Sequence, residues 1–299
     1  MITKRTLWSV LLLLSLPLVA QAQAENVDLK LTLSQGQSFK IRMSTSNTAS
    51  TTVNRQPMKT VETLKFALQF TVAEVAPDGN YRLKAVFDNL SYSLAGAGEE
   101  TDVMSGILTK AFAAVSGQSF EVRLNRAGLV LGVSGLESAV QAATQTLASH
   151  PEAARQIMTA FISQGLSEAT WRQGLAQVFS VLPDGPVAIG ERWSRKLAGS
   201  GQGLKWQSDL YCKILERSNG VAKVKVYYDI KSLEKSLAIG VTYSLSGTSQ
   251  GTVDVEEATG LVLRGSLKSD VKGKAAAADT KGKRVPLTVT GTTTIKRER

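Results

Sequence analysis

The sequence predicts an α+β protein: two related, mostly antiparallel β units, each a curved sheet or partial barrel, with a helical insert between them. Three observations carry this prediction. Long stretches alternate apolar and polar residues with a period of two, the mark of strands with one buried face. A turn-and-strand pattern from the first half returns in the second half in the same order. Between the halves lies a block rich in Ala, Gln, Glu and Leu, with apolar residues at helical spacing.

The chain starts with Lys4 and Arg5, an apolar run from Leu7 to Val19, and either Ala20-Gln21-Ala22 or Ala22-Gln23-Ala24. That is the three-part layout of a secretory signal peptide over residues 1–24, cleaved after Ala22 or Ala24. A spanning helix needs about 20 apolar residues, whereas this run is shorter and Pro17 interrupts it. The mature chain is therefore expected in the periplasm or outside the cell, soluble after cleavage.

The first β unit covers residues 25–133. Leu64, Phe66, Leu68, Phe70 and Val72 alternate with polar neighbours, and Tyr81, Leu83, Ala85 and Phe87 alternate back. Pro77-Asp78-Gly79-Asn80 turns the chain between them, because Pro presets φ and Gly accepts a positive φ. A short helix is expected near 102–115, preceded by Glu99 and Glu100, acids that suit a helix start. The helical insert covers 134–183. In it Ser149-His150-Pro151-Glu152 fits a capping box with an early proline. Ile157, Met158, Phe161 and Ile162 follow at helical spacing, then Trp171, Leu175, Val178, Phe179 and Leu182 before Pro183-Asp184-Gly185-Pro186.

The second β unit covers 184–299. Leu210, Cys212 and Ile214 alternate, Ser218-Asn219-Gly220 turns, and Ala222, Val224, Val226, Tyr228 and Ile230 alternate back. The unit ends in a basic hairpin, with a loop from Lys272 to Arg284 and a last strand from Val285 to Ile295. Aligning Gly79 with Gly220 also pairs Leu83 with Val224, Phe87 with Tyr228 and Asp88 with Asp229. Gly36-Gln37-Ser38-Phe39 matches Gly190-Glu191-Arg192-Trp193, and Gly128-Leu129-Val130-Leu131 recurs as Gly260-Leu261-Val262-Leu263. Three ordered matches point to an internal duplication.

Little in the chain suggests catalysis. His150 is the only histidine, so histidine triads and two-histidine metal sites lack their partners. Gly247-Thr248-Ser249-Gln250-Gly251 matches the hydrolase elbow G-x-S-x-G, but strand pattern continues after it and no histidine follows. Ser232 with Lys235 and Ser269 with Lys272 match S-x-x-K in charged segments, without the burial that an activating lysine needs. Cys212, the only cysteine, has no partner for a disulfide within the chain and reads as a small buried hydrophobe. No catalytic residue, metal or cofactor is assigned.

Two surfaces remain. The chain carries 35 basic and 25 acidic side chains, a formal net charge of +10, and the excess is concentrated after Arg264. Lys272, Lys274, Lys281, Lys283, Arg284, Lys296, Arg297 and Arg299 are the candidate contacts with an anionic membrane surface or polysaccharide, acting through their field. Nucleic acid is not expected outside the cytoplasm. The second surface is the insert, where Ile157, Met158, Phe161, Trp171 and Phe179 are candidates for a cover over an apolar cavity that holds a lipid-like ligand.

Several of these stretches together resemble one known pattern: Gly36-Gln37-Ser38-Phe39, Pro77-Asp78-Gly79-Asn80-Tyr81, and Leu182-Pro183-Asp184-Gly185-Pro186-Val187 leading to Gly190-Glu191-Arg192-Trp193. They resemble an uncharacterised family of exported bacterial proteins, known as a domain of unknown function. The resemblance implies an exported β-rich protein and brings no catalytic residues. The resulting expectation is a non-enzymatic envelope protein that binds an apolar or amphipathic ligand. The alternatives are a protein–protein interaction module of the envelope with no small ligand, or an unrecognised hydrolase using Ser, Asp or Glu.

Overall fold

Each alternating stretch becomes a strand with one buried face, most of them longer than the pattern that announced them. The computed structural model describes residues 26–53, 56–96, 98–201, 204–233, 236–238, 241–277 and 284–298, so the expected signal peptide lies outside it. In chain order the elements are β1 (Ser38–Val53), β2 (Gln56–Val75), β3 (Tyr81–Ala95), α1 (Glu99–Ala113), β4 (Ser119–Leu124), β5 (Val130–Ser134), α2 (Glu137–Gln145), α3 (Glu152–Gly165) and α4 (Glu168–Phe179). There follow β6 (Arg192–Gly201), β7 (Leu204–Ser218), β8 (Val221–Ser232), β9 (Ser236–Ala238), β10 (Val241–Glu256), β11 (Val262–Ala277) and β12 (Val285–Glu298).

All these strands share one antiparallel sheet, in the order β5-β4-β3-β2-β1-β12-β11-β10-β8-β7-β6, with β9 on β10. The strands of both halves are thus continuous, joined where β1 pairs β12 and Thr45 stands opposite Thr293. The matched sequence stretches hold matched places. Gly36 and Gly190 precede β1 and β6, Gly79 and Gly220 turn β2 and β7 into the next strand, and Gly128 and Gly260 turn β4 and β10. All six glycines have φ between 71° and 87°.

The sheet curls until its edges nearly meet. Helix α4 packs against both edge strands, β5 and β6. A helix with its side chains is only about 10–12 Å across, so the two edges lie roughly one helix apart. Arg195 of β6 bridges the gap directly, donating to the Ala127 carbonyl in the β4–β5 turn at 2.8 Å and pairing with Asp184. Trp193 adds an indole hydrogen bond to the Val181 carbonyl at 3.2 Å. Strand curvature draws on Gly251 in β10, where a Cβ would collide with the Ser266 carbonyl of the neighbouring strand. Glycine kinks of this kind let a sheet bend.

The short turns gather at one end of the curl, and residues 26–34 cross it as a strap. Val27 and Val187 exchange backbone hydrogen bonds at 2.9 and 3.0 Å, and the N–H groups of Leu31 and Thr32 donate to Arg126 and Thr259 at 2.7 and 3.0 Å. The Tyr81 hydroxyl donates to Leu31 at 2.8 Å. Leu29, Leu31 and Leu33 are buried beneath the strap. The core fills the concave side, with Leu68, Phe70, Leu83, Phe87, Leu124 and Ile162 fully buried. The convex side exposes Lys65, Lys84, Lys225 and Lys268.

The helices follow the sequence reading with one difference. The expected helix near 102–115 forms as α1, and the insert contains α2, α3 and α4. The capping box expected at Ser149 does not form. Pro151 is itself the N-cap of α3, and no side chain caps this helix. Ser149 stands two residues too early, because Leu147 to His150 form a turn of their own, closed by a 2.9 Å hydrogen bond. The side-chain cap occurs at α4, where Ser167 accepts from the Thr170 N–H at 3.3 Å.

Candidate functional site

The register of β1, β2 and β3 sets side chains on the concave side in rows. Met43 stands opposite Phe66 and Phe66 opposite Leu90; Thr45 is opposite Leu64 and Leu64 opposite Tyr92; Asn47 is opposite Glu62. Residues two apart on a strand share a face, so the wall changes from apolar to polar over three steps. Above it lies a cavity of about 290 Å³, covered by Phe112 of α1, Phe161 and Gly165 of α3, Leu166 just after that helix, and one side of α4, with Trp206 of β7 also lining it. That volume lies just below the range of about 300–1,000 Å³ usual for small-molecule sites.

Two features of α4 define the site. Trp171 is only 5% exposed and packs edge-on to Phe66 and Phe87, with ring centroids at 5.0 and 4.9 Å. Its indole N–H has no acceptor, and neither has that of Trp206. A buried donor left unpaired costs about 1–3 kcal/mol. The second feature is Gly174, in the middle of α4, where an added Cβ would meet nothing within 4 Å. Glycine inside a helix costs about 0.8–1.0 kcal/mol relative to alanine. Here it leaves the cavity open.

The electrostatics are one-sided. Among the described residues, Glu62 is the only acidic side chain lining the cavity, and no Lys, Arg or His lines it. The Tyr92 phenol hydrogen-bonds Glu62; burial first, then the Glu62 charge, raises its pKa above the ordinary tyrosine value.

Of the residues expected to cover a cavity, Phe161 and Trp171 line it. Met158 is buried in the core, and Phe179 packs edge-on to Phe70 with centroids 5.9 Å apart. Ile157 is 57% exposed; it lies one helical turn before Phe161, beyond the cavity edge. The wall residues Asn47, Glu62, Tyr92 and Trp206 and the opening at Gly174 escaped sequence reasoning. The available signals were a glycine amid the apolar residues of a helix and the drift from Met43 through Thr45 to Asn47.

The basic candidates divide. Lys272, Lys274 and Lys296 are exposed on the convex face, Arg284 is exposed just before β12, and Lys272 pairs with Asp270 at 3.2 Å. Arg297 instead holds Glu256 with two hydrogen bonds of 2.8 Å. Lys281, Lys283 and Arg299 lie outside the described residues. The G-x-S-x-G stretch sits wholly within β10, with the Ser249 hydroxyl 2.9 Å from that of Ser269. Cys212 is 2% exposed, and burial pushes its thiol up to about 12.

A family model, described as a family of unknown function (DUF6263), matches residues 78–262. The chain belongs to this family. The matched span of DUF6263 runs from the β2–β3 turn to the first residue of β11, and so takes in all four helices but not β1 or β12. Among curated proteins there is no sequence match. Among solved structures, lipovitellin shares 9% identity over 90% of this chain, with a TM-score of 0.43; the match spans 26% of the lipovitellin chain. An outer membrane channel from Pseudomonas putida shares 6% identity, covering 90% of this chain and 97% of the channel, at a TM-score of 0.27. Salmonella typhi OmpF in complex with daunomycin shares 7%, covering 89% and 99%, at 0.25.

Proposed function

We propose that this DUF6263 protein is an exported, non-enzymatic envelope protein that holds one apolar or amphipathic small molecule between its curled sheet and its helices. The observation that carries the reading is the cavity itself: apolar at the Met43–Phe66–Leu90 row, polar at the Asn47–Glu62 row, and kept open at Gly174. Such a gradient suits a molecule with a tail and a head. The lysines of β11 and β12 would draw the carrier toward an anionic membrane surface by their field. The same reading treats β1–β5 and β6–β12 as duplicated β units, supported by the six matched glycines with positive φ.

The test is native mass spectrometry of protein taken from its own envelope without detergent, beside Gly174→Phe and Gly174→Leu variants. The expected result is a lipid-like mass on the wild type that solvent extraction removes and that both folded variants lack. A bare wild-type mass would move the reading to an interaction module without a ligand. Cross-linking in cells would then be the way to find its partner.

A further inference from the structure

We infer, resting on the membrane-surface part of the reading above and deepening it, that the convex face of β6–β8 is where the protein docks on an anionic lipid bilayer. The register puts Arg192 opposite Lys213 and Lys213 opposite Lys225, three cations in one row across three strands. Like charges directly opposite each other destabilise a sheet. Among the described residues none of the three has an acidic partner. The acids nearby are engaged or set back. Glu191 accepts from the Ala188 N–H at 2.8 Å, and Glu216 holds Lys223. Asp209 and Asp229 stand two rows away, with Asp229 at 3.5 Å from Lys231.

Apolar groups flank the basic row on both sides. Residues two apart on a strand share a face, so Tyr211 and Tyr227 form the next row, opposite each other with ring centroids 6.1 Å apart. Across the cations stands Leu215, the extra residue of a β-bulge: pairing steps from Ile214–Val224 to Glu216–Lys223 and leaves it no opposite number. A bulge re-aims a side chain, and Leu215 is 41% exposed while Ile214 is fully buried. Ile189 is exposed beside it, because the next N–H, that of Gly190, donates to the Ile214 carbonyl at 2.9 Å. A protein interface keeps lysine out of its centre, whereas here the cations stand between the tyrosines and Leu215. A bilayer suits that order. Phosphates meet the cations, the tyrosine rings rest among the headgroups, and the aliphatic tips reach the acyl boundary.

Co-sedimentation of the full chain with vesicles of mixed phosphatidylglycerol and phosphatidylcholine tests this, against phosphatidylcholine alone. A lysine at an anionic surface is worth about fivefold in partition, so Lys213→Gln with Lys225→Gln should weaken binding about twentyfold. Leu215→Ser should weaken it roughly fivefold on the same vesicles. Lys272→Gln with Lys274→Gln, on β11, should cost about twofold or less, since those side chains act through a screened field. The β7–β8 double variant should melt no lower than the wild type, because it removes a like-charge pair. A larger loss from the β11 pair than from the β7–β8 pair overturns the inference and leaves the membrane-surface reading standing. If the wild type binds neither kind of vesicle, both fall, and a cross-link from Lys213 to a protein would make this face a protein-binding surface instead.

Discussion

The guanidinium of Arg195, on one edge strand, donates to the carbonyl oxygen of Ala127, in the turn beside the other edge strand, at 2.8 Å. The open sheet thereby acquires a seam, with α4 lying along it. Arg195 is 9% exposed and its partner Asp184 is on the surface, so the backbone bond matters more than the ion pair. Arg195→Ala would leave the Ala127 carbonyl without its donor and should cost about 1–3 kcal/mol in denaturant unfolding. Hydrogen exchange should accelerate first in β5 and β6. Equal acceleration along β1 and β12 would argue against a seam.

Gly128 and Gly36 separate two costs of adding a methyl group. Both have positive φ, 77° and 81°, so Gly36→Ala should lose about 1–2 kcal/mol from the left-handed backbone alone, its Cβ meeting nothing within 4 Å. At Gly128 a Cβ would also strike the Phe179 carbonyl at the end of α4. Gly128→Ala should therefore be clearly the more damaging in thermal unfolding.

Gly174→Ala should act in the opposite direction. The site has open space and no positive φ, so the variant should gain up to about 1 kcal/mol from helix propensity. A loss of stability in chemical denaturation would mean that the cavity is tighter than its 290 Å³ indicates.

Acid should loosen the closed end of the curl. Arg297 foremost, then Thr259, holds the Glu256 carboxyl below its ordinary value of 4.5, and Arg217 does the same for Glu257. A carboxyl lowered in the folded state stabilises above its unfolded pKa, and that contribution fades as pH falls through the folded value. Glu256→Gln should thus lower the melting temperature near neutrality and differ little from wild type well below pH 4.5. Both carboxyl side chains are partly buried, 30% and 18% exposed, and still reach solvent, so screening limits each to about 1 kcal/mol.

The parts of the fold legible in the sequence were those whose cause is local. The hairpins around Gly79 and Gly220 and the helices around Met158 and Trp171 each announce themselves within a dozen residues, because one face is buried and the period follows. The seam and the strap do not, since Arg195 and Ala127, or Leu31 and Arg126, meet only after every strand between them has taken its place. β12 is rich in Thr on both faces, and its pairing with β1 left no trace in alternation. The cavity was half legible. Phe161 and Trp171 stood out as aromatics at helical spacing, while Glu62 faces the interior through the register of β2 with β1.

The hydroxyls of Thr45 and Thr293 lie 3.1 Å apart although 248 positions separate them along the chain. Pairing β1 with β12 therefore demands closure of a loop that is almost the whole molecule, the slowest kind of contact a folding chain makes. Until the last strand arrives, β1 presents a bare row of N–H and C=O groups to any other strand. Refolding at high protein concentration should then divert toward aggregates seeded at β1, and a soluble peptide spanning Val285–Glu298 should suppress them.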